Sequence, residues 1–449
     1  MKNPIKNMLR KITSKLHPGE GENQNILKSI IILASGSSAA KVISLASIPI
    51  ITRLYTPEQF GVYTLFVSII LILSPFASFR YAAAIPLPKR SEIALCLLII
   101  SIVSLLFISF AASLILFFYS GSIFSFLSVS QLTPFWFLLI LGFLGTGIYE
   151  ALCSWAIRNR NFKSIAKTNV NQALSGALSK ILLALLGLEK IGLLIGHILN
   201  QVGGSFSLAK NAYADIRLIS SKRITGQNVL FSMRYFSEFP AFRLPSQILL
   251  TLSMQTPALF MSSMYGAEVA GQLGLALMAL ALPVALIAQT TGQAYYAEIS
   301  KIGRKNNLEI LKLTKFLAKK LILLGVLPTI ILAVLGPMMF SLFFGEQWKE
   351  AGVYSSLLSI YLLSQFVANP ISNALNVFKQ QKKLLIINFV RLLLTGSVFV
   401  VSAYFKFTPK EAIALYSVVL SLHYIGTSIT VINTIRRQNF SITSKNKFN

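Results

Sequence analysis

Twelve helix-length apolar segments follow one another along the 449 residues, and this constrains the fold more than any other feature. They run over 28–52, 61–79, 92–118, 134–157, 166–187, 191–210, 243–265, 268–297, 317–344, 351–378, 384–405 and 411–435. A helix needs about 20 mostly apolar residues to cross a bilayer, and most of these segments supply them. Lipid-facing β-barrel strands would instead alternate over about 10 residues, whereas the runs here, such as Leu97-Leu98-Ile99-Ile100, do not alternate. The expected fold is therefore an all-α polytopic membrane protein with twelve transmembrane helices.

Composition agrees. Hydrophobic residues make up 54% of the chain and charged residues only 12%, against about 25% charged in a soluble domain. The formal net charge is nevertheless +27. A nucleic-acid binder with this charge would need far more polar surface, so no nucleic-acid partner is expected. Two cysteines, Cys96 and Cys153, exclude a disulfide scaffold and read as small packing residues.

The loop charges give an orientation. With the N-terminus placed inside and sides alternated, 33 Lys and Arg fall in inner segments and 5 in outer loops. That is the positive-inside pattern, so both termini are expected in the cytoplasm. Almost all of the excess charge is thus a topology signal.

The expected organisation is a basic tail (1–27), an N-terminal six-helix lobe (28–210), a basic linker (211–242), a C-terminal six-helix lobe (243–435) and a second tail (436–449). Ile5, Met8, Leu9, Ile12 and Leu16 alternate with lysines and an arginine, which reads either as a short amphipathic helix on the inner surface or as a solvated tail. Pro18 to Asn23 reads as a flexible linker. The first apolar run is too long for a cleavable signal peptide.

An internal repeat relates the lobes. Tyr55, Glu58 and Gly61 recur 210 residues later as Tyr265, Glu268 and Gly271, and Pro49 and Pro75 recur 208 residues later as Pro257 and Pro283. Six spans separate the copies, so the repeat is parallel, an arrangement that places a substrate path between lobes. Pro49, Pro75, Pro257, Pro283, Pro328 and Pro370 interrupt spans, where each removes a backbone hydrogen bond and permits a bend.

No enzyme motif stands out. There is no metal-spaced cluster, no phosphate-binding Gly-Lys-Ser/Thr loop and no nucleophile elbow, and only three histidines, His17, His197 and His423, so neither an enzyme nor a cofactor is expected. The informative residues are charges inside spans: Lys41, Glu150, Lys180 and Arg391. A charge at the bilayer centre costs about 2.5–3.5 kcal/mol, so it turns to a cavity or a partner. Three cations against one acid leave a surplus that suits an anionic substrate; for Arg391 the competing reading is snorkelling to the inner surface. Glu150 has two readings: a structural ion pair with Lys180 or Arg391, or an unpaired acid that couples transport to an ion. Polar stripes add Gln289, Gln293 and Tyr296 in span eight and Gln365, Asn369, Asn373 and Asn376 in span ten. These serve either as sugar contacts or as hydrogen bonds between helices.

Several segments resemble a known family. Leu33 to Ser37, Pro49 to Gly61, Arg80 to Pro88, and Phe343 to Gly352 with its Gly345-Glu346-Gln347-Trp348 core resemble the polysaccharide-biosynthesis membrane proteins. These are the Wzx-type flippases of the MOP exporter superfamily, which also holds the MATE exporters and the lipid II flippases. The resemblance implies two six-helix lobes around a cationic cavity in a bacterial inner membrane. It implies translocation of an undecaprenyl-diphosphate-linked oligosaccharide for O-antigen, capsule or exopolysaccharide synthesis. Membrane lipids, a polysaccharide polymerase and a chain-length regulator are the partners it suggests. Lys41, Lys180 and Arg391 would then meet the diphosphate, and Gln289, Gln293, Gln365, Asn369 and Asn373 the sugars. The alternative is a MATE-like ion-coupled exporter of small molecules, which would want acids in the cavity.

Overall fold

A computed structural model describes residues 21–217, 219, 225–283, 288–303, 306–378 and 380–445. The basic N-terminal segment up to Leu16 and His17 lie outside these. The described residues form helices joined by short turns. The first half contains α1 (Gly21–Leu54), α2 (Pro57–Leu73), α3 (Ser91–Phe126), α4 (Trp136–Arg158), α5 (Phe162–Leu185), α6 (Glu189–Val202) and α7 (Ser205–Arg217). A connector, α8 (Gly226–Tyr235), follows. The second half contains α9 (Leu244–Tyr265), α10 (Ala267–Pro283), α11 (Gln289–Ile302), α12 (Asn307–Phe344), α13 (Lys349–Ser372), α14 (Ala374–Val377), α15 (Gln381–Tyr404) and α16 (Pro409–Lys445).

Eight stretches among the described residues are long and apolar enough to cross a membrane: 57–76, 91–126, 130–158, 189–217, 307–344, 346–377, 381–404 and 409–437. The other four expected spans fall on α1, α5, α9 and the α10–α11 pair. Polar side chains on these helices bond to neighbouring helices. α1 packs along α5, where Asn169 Nδ2 donates to Ser37 Oγ at 3.0 Å. α9 and α10 pack on α2 from the other lobe, where Ser68 Oγ donates to Gln255 Oε1 at 3.0 Å.

Some boundaries differ from expectation. Gly21 to Asn23 begin α1 rather than forming a linker. Span six divides at Gly203, because Gly204 takes φ +79° and turns the chain into α7. Span ten divides near Asn373, one turn after Pro370. Pro49, Pro257 and Pro328, by contrast, lie within continuous helices, and Pro75 sits in a short 3-10 turn that ends α2.

The repeat acquires a physical meaning here. Tyr55 Oη donates to the Lys180 carbonyl at 2.7 Å, and Tyr265 Oη donates to the Phe407 carbonyl at 2.7 Å. Each tyrosine ties the end of its lobe's first helix to that lobe's fifth helix or to the turn after it. Gly61 and Gly271 lie where α2 crosses α10: a Cβ on Gly61 would stand 1.7 Å from the Ala267 oxygen, and one on Gly271 would stand 1.9 Å from the Pro57 oxygen. Pro57 and Ala267 are themselves 210 residues apart. The two halves therefore meet through matching residues, backbone against backbone, as small residues permit in membrane bundles.

Candidate functional site

Away from the glycine crossing, α2, α9 and α10 diverge and leave a cavity of about 420 Å³ between the halves. Tyr63, Thr64 and Ser68 line it from α2, Gln255 from α9, and Tyr361, Gln365, Arg391 and Tyr416 from the second half. Along their middle stretches, α12 and α15 expose large apolar side chains such as Leu323, Leu327, Ile330, Val334, Leu393 and Val400, as expected of lipid-facing surfaces.

Arg391 is 6% exposed and sits among the hydroxyls of Tyr361, Tyr416 and Tyr424. Its guanidinium lies 5.5 Å from the Tyr424 ring centroid. Gln365 Nε2 donates to Tyr424 Oη at 3.0 Å and fixes that ring. Among the described residues, Arg391 Nε has no hydrogen-bond partner and no carboxylate pairs with the guanidinium. Aromatic faces stabilise a cation without neutralising it. Arg391 therefore keeps its full charge at the cavity wall, in place of the snorkelling expected on the alternative reading.

Lys180 approaches from the first half. Its Nζ donates to Tyr63 Oη at 3.1 Å and lies 4.6 Å from the same ring's centroid. Room for its stem comes from Gly196, where a Cβ would stand 2.2 Å from Lys180 Cγ. His197 and Phe60 each set an edge against Tyr63, with centroids 5.9 and 5.4 Å away. Lys180 does not itself line the cavity; it acts through Tyr63, which does.

The other expected site residues are dispersed. Lys41 is half-buried on α1 and does not border the cavity. Glu150 pairs with neither Lys180 nor Arg391; its Oε1 accepts from Arg80 Nη1 at 2.9 Å. That partner comes from the turn after α2, where Phe79 and Arg80 take left-handed φ of +44° and +65° and so swing the guanidinium back onto α4. Of the polar stripes, Gln365 alone among the described side chains reaches the cavity. Asn373 Nδ2 donates to the Gly292 carbonyl at 3.3 Å, an interhelical bond rather than an open contact. Asn369 and Gln293 are exposed, and the side chain of Gln289 lies outside the described residues. No group of three or more His, Cys, Asp or Glu among the described residues could hold a metal ion. The tyrosines and the Ser68–Gln255 pair were not anticipated, although a tyrosine inside a span must find a hydroxyl partner and so marks an inward face.

These features define a multi-pass membrane protein built of two packed helical halves around a cationic cavity, which fits a bacterial inner membrane. The chain belongs to the polysaccharide biosynthesis protein family, whose profile matches residues 50–353. No curated protein matches the sequence. Solved structures share the fold at low identity. The lipid II flippase MurJ in an inward closed conformation superposes with a TM-score of 0.62 at 15% identity, covering 92% of this chain and 93% of that one. A MATE transporter from Vibrio cholerae gives 0.56 at 13% identity, covering 92% and 97%. A MOP superfamily transporter from Pyrococcus furiosus, described as having a binding pocket of reversed polarity, gives 0.57 at 14% identity, covering 92% and 96%. The fold is that of the MOP transporters.

Proposed function

We propose that this protein is a flippase that moves undecaprenyl-diphosphate-linked oligosaccharide repeat units from the inner to the outer leaflet of a bacterial inner membrane, for surface polysaccharide synthesis. The observation that carries the reading is the pair of buried cations, Lys180 and Arg391, one from each half, with no carboxylate partner among the described residues. Burying two uncompensated cations in a membrane protein is costly. A diphosphate offsets that cost and accepts charge-assisted hydrogen bonds from both. Arg391 with its free Nε receives one phosphate, Lys180 acts through Tyr63, and Gln365, Ser68 and Gln255 offer amide and hydroxyl groups to the first sugar. The lipid tail remains in the bilayer. Rocking of the two halves about the α2–α10 crossing carries the headgroup across. Lys41 is a further phosphate contact along the approach, and a polymerase and chain-length regulator act on the product.

The test is restoration of surface polysaccharide in a host lacking its own flippase. A hydrogen bond to a charged group contributes about 1.5–3 kcal/mol, so Arg391→Ala is expected to lower translocation by about 10- to 100-fold. Arg391→Lys should retain part of it, and Lys180→Ala should lower it to a similar degree. Full activity of both alanine variants at normal expression would overturn the reading. Resistance to cationic drugs, with no polysaccharide restored, would instead favour a small-molecule exporter.

A further inference from the structure

The Gly345-Glu346-Gln347-Trp348 turn between α12 and α13 lies away from the cavity, on the outer side given by the loop charges. Yet it makes the most directed contacts between the halves. Trp348 Nε1 donates to the Thr52 carbonyl at 2.7 Å. Gln347 Nε2 donates to the same carbonyl at 2.8 Å and to the Tyr55 carbonyl at 3.3 Å. These oxygens belong to the end of α1, where the last carbonyls of a helix have no partner within it. The turn of the second half therefore caps a helix of the first.

The capping groups are held in place. Gln272 on α10 donates to the Gln347 carbonyl at 2.7 Å and accepts from the Ala351 N–H at 2.9 Å. Trp348 is fully buried and sets its ring edge against Phe60, with centroids 5.3 Å apart. Gly345 takes φ +108°, a conformation suited to glycine, and this turns Gln347 and Trp348 towards α1.

A smaller counterpart exists at the repeat-related place. Ser262 is 210 residues after Thr52, and its Oγ donates across to the Leu127 carbonyl at 2.8 Å, at the turn between α3 and α4. Each half thus fastens the outer end of the other half's first helix. Between the two fastenings lies the Gly61–Gly271 crossing.

We propose that the Gln347–Trp348 turn is a hydrogen-bonded latch that closes the outer side of the cavity, and that its release from the Thr52 and Tyr55 carbonyls is the event that opens the cavity outward. The inference rests on the reading of the cavity as a transport site, but not on the substrate assigned to it. Once the latch parts, the α1 carbonyls meet water instead, so the bonds bias the equilibrium without locking it. The cavity then opens by separation of α2 from α10.

The experiment reads accessibility rather than transport. Thr64→Cys places a thiol on the cavity wall, at a lining position given no role toward the substrate, in a full-length chain with Cys96→Ala and Cys153→Ala. A membrane-impermeant maleimide is added outside intact cells. Gln347→Glu removes both donated bonds at an exposed side chain, and Trp348→Phe removes one while keeping the ring against Phe60. Each is expected to raise outside labelling about fivefold per bond lost. Unchanged labelling in Gln347→Glu and Trp348→Phe chains that purify as monodisperse protein would overturn the latch. Should Trp348→Phe fail to fold, Gln347→Glu alone decides, since its side chain is at the surface. If labelling stays unchanged while polysaccharide is restored, the latch is wrong and the proposed function stands. If labelling rises while no lipid-linked sugar moves, the latch stands and the substrate is wrong.

Discussion

Arg80 illustrates how much a single residue can decide. A non-glycine residue at φ +65° costs of order 1–3 kcal/mol and persists only where its surroundings require it. Here the requirement is Glu150, which would otherwise be an unpaired acid within α4. The pair is only partly screened, at 23% and 25% side-chain exposure. Removing one partner is expected to destabilise the first half by about 1–2 kcal/mol, less than a fully buried pair because water reaches it. Glu150→Gln should therefore lower the thermal midpoint of the purified protein by a few degrees while leaving translocation largely intact. If transport collapses without loss of stability, Glu150 couples an ion and the structural role is wrong. The sequence placed Glu150 in a span but could not identify Arg80 as its partner, because the contact depends on a backward turn that no periodicity announces. The same holds for Lys180, whose charge was legible and whose aromatic platform, Tyr63, was not.

Among the helices, the crossing of α2 and α10 is the clearest case of local sequence setting a contact. The offset of 210 was visible as a repeat, but not that its two glycines touch. Repetition shows that two segments fold alike, whereas their meeting depends on the axis that relates the halves. The contact predicts opposite outcomes for the same change. Gly61→Ala would set a methyl 1.7 Å from a backbone oxygen that cannot rotate away, so the helices must part. Gly121→Ala, on the exposed part of α3, meets nothing within 4 Å and is expected to stabilise by about 0.5–1 kcal/mol through helix propensity. Thermal unfolding of the two variants side by side checks this. Equal stability of both would mean that α2 and α10 do not approach as closely as described. The polar helices α5 and α9 make the same point. Asn169 bonds to Ser37 and Gln255 to Ser68, so hydropathy alone understates helices whose polar side chains are partnered inside the bundle.

For the whole molecule, the charge arithmetic and the fold bear on one question, which side of the membrane the cavity opens to. From the 33-to-5 division of Lys and Arg, the α8 connector is expected inside and the Gln347–Trp348 turn outside. Both copies of the first hairpin then run in the same direction, and the Tyr55 and Tyr265 anchors fall at the same depth, as a parallel repeat requires. An inverted orientation would place the Gly61–Gly271 crossing on the cytoplasmic side, and the cavity would be closed to a lipid-linked sugar made there. Ser128, exposed at the turn after α3, and Lys163, exposed at the start of α5, sit at opposite ends of the bundle. In a cysteine-free chain, Ser128→Cys should react with an impermeant maleimide on intact cells, and Lys163→Cys only after the cells are opened. The reverse pattern would invert the topology and with it the latch and the direction of transport. Labelling of both from outside would mean that the chain between them does not cross the membrane an odd number of times.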